Sequence, residues 1–87
     1  MDYVTLLLID DDIDLLRLLR QRLERDGYDV VAVESGRAAV LALQRRIPDL
    51  AIVDILMPEM NGFDVAKEIK KRGDIPIIFL SSVGKTR

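Results

Sequence analysis

The stretch Val4-Thr5-Leu6-Leu7-Leu8-Ile9-Asp10-Asp11-Asp12 decides how this 87-residue chain folds. From Val4 to Ile9 only Thr5 interrupts the apolar residues, and there is no alternation of polar and apolar positions. That pattern suits a strand covered on both faces, as strands of parallel sheets are. The run then ends in three consecutive acids. In open parallel sheets, sites form beyond the carboxyl ends of the strands. One short segment therefore predicts a strand, a type of sheet and a place for chemistry.

Working outward, three further runs read as strands: Val30 to Val33, Leu50 to Val53, and Ile75 to Leu80, with Pro76 near the start of the last, where a missing amide does least harm. The segments between them carry helical periodicity. Asp12 or Asp14 can cap a helix whose apolar positions are Leu15, Leu16, Leu18, Leu19 and Leu23, and Gly27 ends it. Ser35 can cap a second helix with Ala39, Val40 and Leu43, closed by Pro48. Asp64 can start a third, with Val65, Ala66 and Ile69 inward, Lys67, Lys70, Lys71 and Arg72 toward solvent or the helix end, and Gly73 as the stop. The order β-α-β-α-β-α-β implies an α/β domain built from right-handed crossovers and a parallel sheet.

Composition narrows the function classes. With 49% hydrophobic and 32% charged residues and a formal net charge of -2, the chain reads as one small globular domain with no basic footprint for nucleic acid or an anionic membrane. A domain of this size buries roughly 60% of its unfolded surface. No cysteine is present, which excludes disulfides and thiolate chemistry, and no histidine is present to act as metal ligand or general base. The apolar runs are short, and a cytoplasmic setting without a membrane span or export leader is expected.

The strand-end rule picks out Asp10-Asp11-Asp12 after the first strand, Glu34-Ser35-Gly36 after the second, Asp54 after the third, and Ser81 and Ser82 after the fourth. If the first and third strands are neighbours, Asp10, Asp11 and Asp54 converge. Three carboxylates in one pocket repel one another unless a cation neutralises them, and hard oxygen ligands favour Mg²⁺. The plainer alternative is that Asp11, Asp12 and Asp14 only cap a helix. Asp54 weighs against it, because an acid that ends an apolar run is costly to bury without a purpose.

The segment Asp54-Ile55-Leu56-Met57-Pro58-Glu59-Met60-Asn61-Gly62 resembles the phosphoacceptor loop of two-component response-regulator receiver domains, and Leu8-Ile9-Asp10-Asp11-Asp12 resembles their first-strand acidic motif. Ile47-Pro48-Asp49-Leu50 and Ile75-Pro76-Ile77-Ile78 with Ser81 also match, in the same order, so the resemblance covers essentially the whole chain. It implies a flavodoxin-like parallel sheet and a phosphoacceptor module, not an enzyme. By the resemblance, Asp54 is the nucleophile that accepts a phosphoryl group. Asp10, Asp11, Asp54 and the backbone carbonyl of Leu56 hold Mg²⁺, and Ser81 hydrogen-bonds the phosphoryl oxygens and acts as a switch. The implied partner is a sensor histidine kinase or another phosphodonor. Met57 and Met60 read as packing residues, and Ser82 and Lys85 as surface positions.

The chain departs from the family at its carboxyl end. Receivers have the strand order 2-1-3-4-5, whereas here the last strand-like run is the fourth, so the expectation is an order 2-1-3-4 in a partial receiver domain, residues 1–87, truncated before the family's last helices and fifth strand. The fifth-strand lysine that meets the phosphoryl group is then missing, and Lys85 follows Ser81 too closely to match it. An exposed fourth strand also predicts a homodimer through that edge, or an exchange of elements hinged at Asp74-Ile75. Two other readings compete. One is a receiver-derived structural or interaction fragment with little phosphotransfer. The other is a phosphatase or phosphotransferase of the haloacid-dehalogenase type, suggested by Asp10-x-Asp12 but opposed by Asp14, which stands where that family has Thr or Val.

Overall fold

The computed structural model describes residues 3–80. Its elements are β1 (Thr5–Ile9), α1 (Ile13–Arg25), β2 (Asp29–Val33), α2 (Gly36–Arg45), β3 (Leu50–Asp54), α3 (Gly62–Lys70) and β4 (Ile77–Leu80). The strands form one four-stranded sheet in the order β2-β1-β3-β4, and every pairing is parallel. The expected order 2-1-3-4 and the flavodoxin-like α/β class are therefore observed.

Because side chains alternate across a strand, each strand feeds two cores. Leu7 and Ile9 of β1 and Ala51 and Val53 of β3 pack against Ala39 and Leu43 of α2 and Val65 and Ile69 of α3. Leu8 of β1 and Val30 of β2 face the other way onto Leu16, with Leu19, Leu23 and Ile52 around them. Fully burying a leucine or isoleucine contributes about 1.5–3 kcal/mol, and Leu8, Ile9, Leu43 and Ile69 are all fully buried, so this two-sided packing dominates the stability.

The caps follow the sequence with one correction. Asp12, not Asp14, caps α1, its Oδ1 accepting the Leu15 N–H at 3.2 Å, and Ser35 caps α2 by accepting the Ala38 N–H at 3.0 Å. At α3 the cap is Asn61, whose Oδ1 accepts the Asp64 N–H at 3.0 Å. Asp64 lies inside the first turn, where its charge favours the positive end of the helix dipole. Gly27, at φ 98°, follows α1, and Gly73 follows α3.

Three further expectations are corrected. Leu18 does not join the buried stripe and is 66% exposed. At 100° per residue it stands about 200° round the helix from the buried Leu16, on the opposite face. The fourth strand begins at Ile77 and not at Ile75. Ile75 is buried in the core ahead of the strand, and Pro76 offers its carbonyl to the Ala51 N–H at 3.0 Å. Finally, continuous apolar runs are not covered equally. β1 is buried throughout, whereas β4 leaves Ile78 50% and Phe79 38% exposed, because β3 is its one partner among the described residues.

Candidate functional site

Strand register builds the site. β1 and β3 run side by side with Ile9 opposite Val53, so the next residues, Asp10 and Asp54, come level at the carboxyl end of the sheet. By alternation both share a face with Leu8 and Ile52, the face that α1 covers. The backbone locks the position from each side. The Asp10 N–H donates to the Val33 carbonyl at 3.2 Å, Asp54 pairs with Leu80 of β4, and the Ile55 N–H donates to the Leu80 carbonyl at 3.2 Å. Asp10 and Asp54 are each 1% exposed, and Asp11 is half-buried.

Asp10, Asp11 and Asp54 each present a carboxylate oxygen, and these oxygens lie within 4.8 Å of one another. The convergence expected from sequence is thus present. One oxygen of Asp10 also accepts the Asp12 N–H at 2.9 Å, which orients that carboxylate and ties it to the start of α1. Bringing three anionic groups this close in a sheltered place is unfavourable unless positive charge balances them. The donor set consists entirely of hard oxygens and fits a hard divalent cation of the Mg²⁺ type.

The segment after Asp54 folds back on the strand it leaves. The Gly62 N–H donates to the Ile55 carbonyl at 2.9 Å, and the Met60 N–H donates to the Pro58 carbonyl at 2.7 Å. Gly62 sits so close to this strand end that a Cβ on it would collide with the Asp54 carbonyl and come within 2.8 Å of the Ile55 Cα. Only glycine permits that approach, which is the physical reason for glycine at position 62. Met57 is in the core and Met60 packs against it, so both methionines are packing residues, as expected. Leu56, whose carbonyl the resemblance implicates, lies in this loop with its side chain 58% exposed.

Ser81, Ser82 and Lys85 lie outside the described residues. Of the segment after β2, Ser35 serves as a helix cap. The sequence reading missed a polar clasp at the opposite, amino end of the sheet. There Arg46 Nη1 pairs with Asp29 Oδ2 at 2.6 Å, Arg46 Nη2 donates to Thr5 Oγ1 at 2.8 Å, and Asp49 Oδ2 accepts the Thr5 N–H at 2.8 Å. A lone Thr in an apolar run was the available signal, since a buried hydroxyl needs a partner.

The family model for the response regulator receiver domain matches residues 6–87. The chain belongs to that family. Among curated relatives, the probable transcriptional regulator ycf27 of Cyanophora paradoxa is 39% identical over 79 residues, which is 91% of this chain and 33% of that protein. The receiver chain thus spans about a third of the length of such relatives. Among solved structures, the Vibrio cholerae chemotaxis protein CheY4 superposes with a TM-score of 0.88 at 28% identity, covering 99% of this chain and 72% of that one. The Thermotoga maritima response regulator TrrA, solved in complex with Mg(2+)-BeF, gives a TM-score of 0.82 at 35% identity, covering 90% of this chain and 69% of that one. The family membership inferred from the phosphoacceptor-like loop and its three companion motifs is therefore established. Receivers are signalling modules that bind Mg²⁺ at an acidic site, and this receiver has such a cluster. No helix among the described residues is long and apolar enough to cross a membrane.

Proposed function

We propose that this receiver is a phosphoacceptor module in which Asp54 takes a phosphoryl group from a sensor histidine kinase or another phosphodonor in the cytoplasm. The observation that carries the reading is the gathering of Asp10, Asp11 and Asp54 within 4.8 Å at adjacent strand ends. A carboxylate oxygen of Asp54 attacks phosphorus, and as the new P–O bond forms, the bond to the donor atom breaks and its electron pair leaves with the donor. The phosphoryl group ends on the chain itself, so the module is consumed as an acceptor and does not turn over as an enzyme. Such transfers depend on positioning and charge neutralisation more than on covalent machinery. Asp10, Asp11, Asp54 and the Leu56 carbonyl would hold Mg²⁺, which would supply the positive charge that the transferred group and three carboxylates need. TrrA, a relative with Mg(2+)-BeF bound, supports this ligand chemistry. The role of Ser81, hydrogen-bonding the phosphoryl oxygens, rests on the sequence resemblance.

The test is intact-mass and peptide mapping after exposure to a small acyl phosphate with Mg²⁺. One phosphoryl group on Asp54, absent without Mg²⁺ and absent in Asp54→Asn, is expected. Label on a serine, or label persisting in Asp54→Asn, would overturn the assignment.

The homodimer reading is supported by β4, which among the described residues has β3 as its one strand partner and carries exposed apolar side chains. Ile78 is 50% exposed, and the tilted pair Phe63 and Phe79, with ring centroids 5.1 Å apart, remains 53% and 38% exposed. An apolar strand edge of this kind favours pairing with a second copy. Sedimentation at micromolar concentration should show a dimer that Ile78→Lys weakens. A wild-type monomer would refute it.

A further inference from the structure

We propose that Gly36, on a different element from any acid of the site, is a positioning residue for the metal-binding loop and acts through Met60. The inference rests on the Leu56 carbonyl being a Mg²⁺ ligand. Gly36 is the first residue of α2 and is buried. A Cβ built on it would stand 2.6 Å from the Met60 Sδ, 2.9 Å from its Cγ and 3.0 Å from its Cβ. The methionine side chain therefore occupies the space that any other residue at position 36 would fill. Met60 is half-buried, packs against the main core cluster, and follows Leu56 by four residues in the loop that leaves Asp54.

That loop needs an external hold. Glu59, immediately before Met60, adopts φ 68°, a left-handed conformation that is unfavourable for a residue other than glycine. Such a conformation persists only when its surroundings impose it. On one side the loop is fastened to its own strand by the Gly62 N–H bond to the Ile55 carbonyl. On the other, the Met60 side chain seats on Gly36. The two glycines thus act as a pair of seats, one for the end of the loop against β3 and one for its tip against α2. Leu56 and the left-handed Glu59 lie between Ile55, which the first seat fastens, and Met60, which the second holds. Removing the α2 seat releases the tip, and the Leu56 carbonyl is then placed by the loop's own preferences instead of by the fold.

The test uses the 87-residue chain with Mg²⁺ alone as probe, in wild type, Gly36→Ala, Met60→Ala and the double variant. Without Mg²⁺, Gly36→Ala should move the amide resonances of residues 55–61 while leaving those of β1 and β3 in place. With Mg²⁺, its dissociation constant should rise about tenfold or more, as loss of outer-shell support does at other metal sites. Met60→Ala, which empties the seat from the other side, should also move these resonances and weaken binding, and it keeps the question answerable if Gly36→Ala does not fold. The double variant should recover part of the affinity lost by Gly36→Ala, because the added methyl takes the space the thioether leaves. Unmoved loop resonances in both single variants, or dissociation constants within twofold of wild type, would overturn the proposal. A wild-type chain that binds no Mg²⁺ would instead sink the phosphoacceptor reading, and the metal-free resonances would still judge the coupling of Gly36 to the loop.

Discussion

The two ends of one sheet handle acidic side chains in opposite ways. At the amino end, Asp29 meets the Arg46 guanidinium at 2.6 Å, and Asp49 accepts the Thr5 N–H while its own N–H returns to the Thr5 carbonyl, both at 2.8 Å. Acids, a base and a hydroxyl interleave there, and the result is a clasp between β1, β2 and the entry to β3. At the carboxyl end the same strands bring three carboxylates within 4.8 Å, with Asp10 and Asp54 almost fully buried. Interleaved donors and acceptors satisfy one another, whereas gathered like charges cost stability and create a place for a cation. The contrast separates residues that hold the sheet together from residues that the sheet holds for use.

The largest effect expected to sharpen this contrast is on metal linkage. At Mg²⁺ a hundredfold above its dissociation constant, wild type should gain about 2.7 kcal/mol of unfolding free energy, and Asp11→Ala should gain almost none. Urea unfolding with and without Mg²⁺ checks this, and an equal gain in both proteins would place the metal elsewhere.

The next effect falls at the other end. Arg46→Ala should lower stability by about 1–2 kcal/mol, chiefly because the buried Thr5 hydroxyl loses its donor. Little of that comes from the ion pair, since Arg46 and Asp29 are 51% and 42% exposed. The Mg²⁺ gain should be unchanged. A variant that lost metal affinity as well would show that the ends are coupled and break the comparison.

A smaller effect distinguishes capping acids from clustered ones. Asp12→Ala should cost about 1 kcal/mol through loss of the α1 cap. It should keep its Mg²⁺ response, because the bond from residue 12 to Asp10 uses the backbone N–H. Loss of Mg²⁺ binding in Asp12→Ala would add a fourth acid to the site. Smallest of all, Arg20→Ala should change stability by less than about 0.5 kcal/mol, because its i,i+4 partner Glu24 is also well exposed. A larger loss would mean that α1 contributes through its outer face too.

Much of this is legible in the sequence. The helices announced themselves by periodicity and by Asp12 and Ser35 at their starts, and the strands by runs too apolar to face water. Asp10, Asp11 and Asp54 were recognisable as a group because parallel strands deliver their carboxyl ends to one place. Asn61 was overlooked in favour of Asp64, since both are good caps and only backbone geometry shows which residue precedes the first turn. Leu18 is as apolar as its neighbours, but its angular position on α1 opposes Leu16 and leaves it exposed.

Apart from those two local details, what lay beyond sequence reading depends on residues far apart in the chain. Capping, helix periodicity and strand hydropathy are set by neighbours within a few positions, so they can be read locally. Thr5 and Asp49 are 44 positions apart, Thr5 and Arg46 are 41 apart, and their clasp exists only because β1 and β3 are in register. The packing of α2 beside the loop after β3 likewise puts Met60 on Gly36, and the register confirms the pairing of Asp10 with Asp54 that parallel strands imply. The wholly apolar runs Leu50 to Val53 and Ile77 to Leu80 are likewise buried unequally, because a strand is covered by its neighbours and not by its own composition. Local chemistry chose the elements and supplied the acids, and long-range packing decided which of those acids meet.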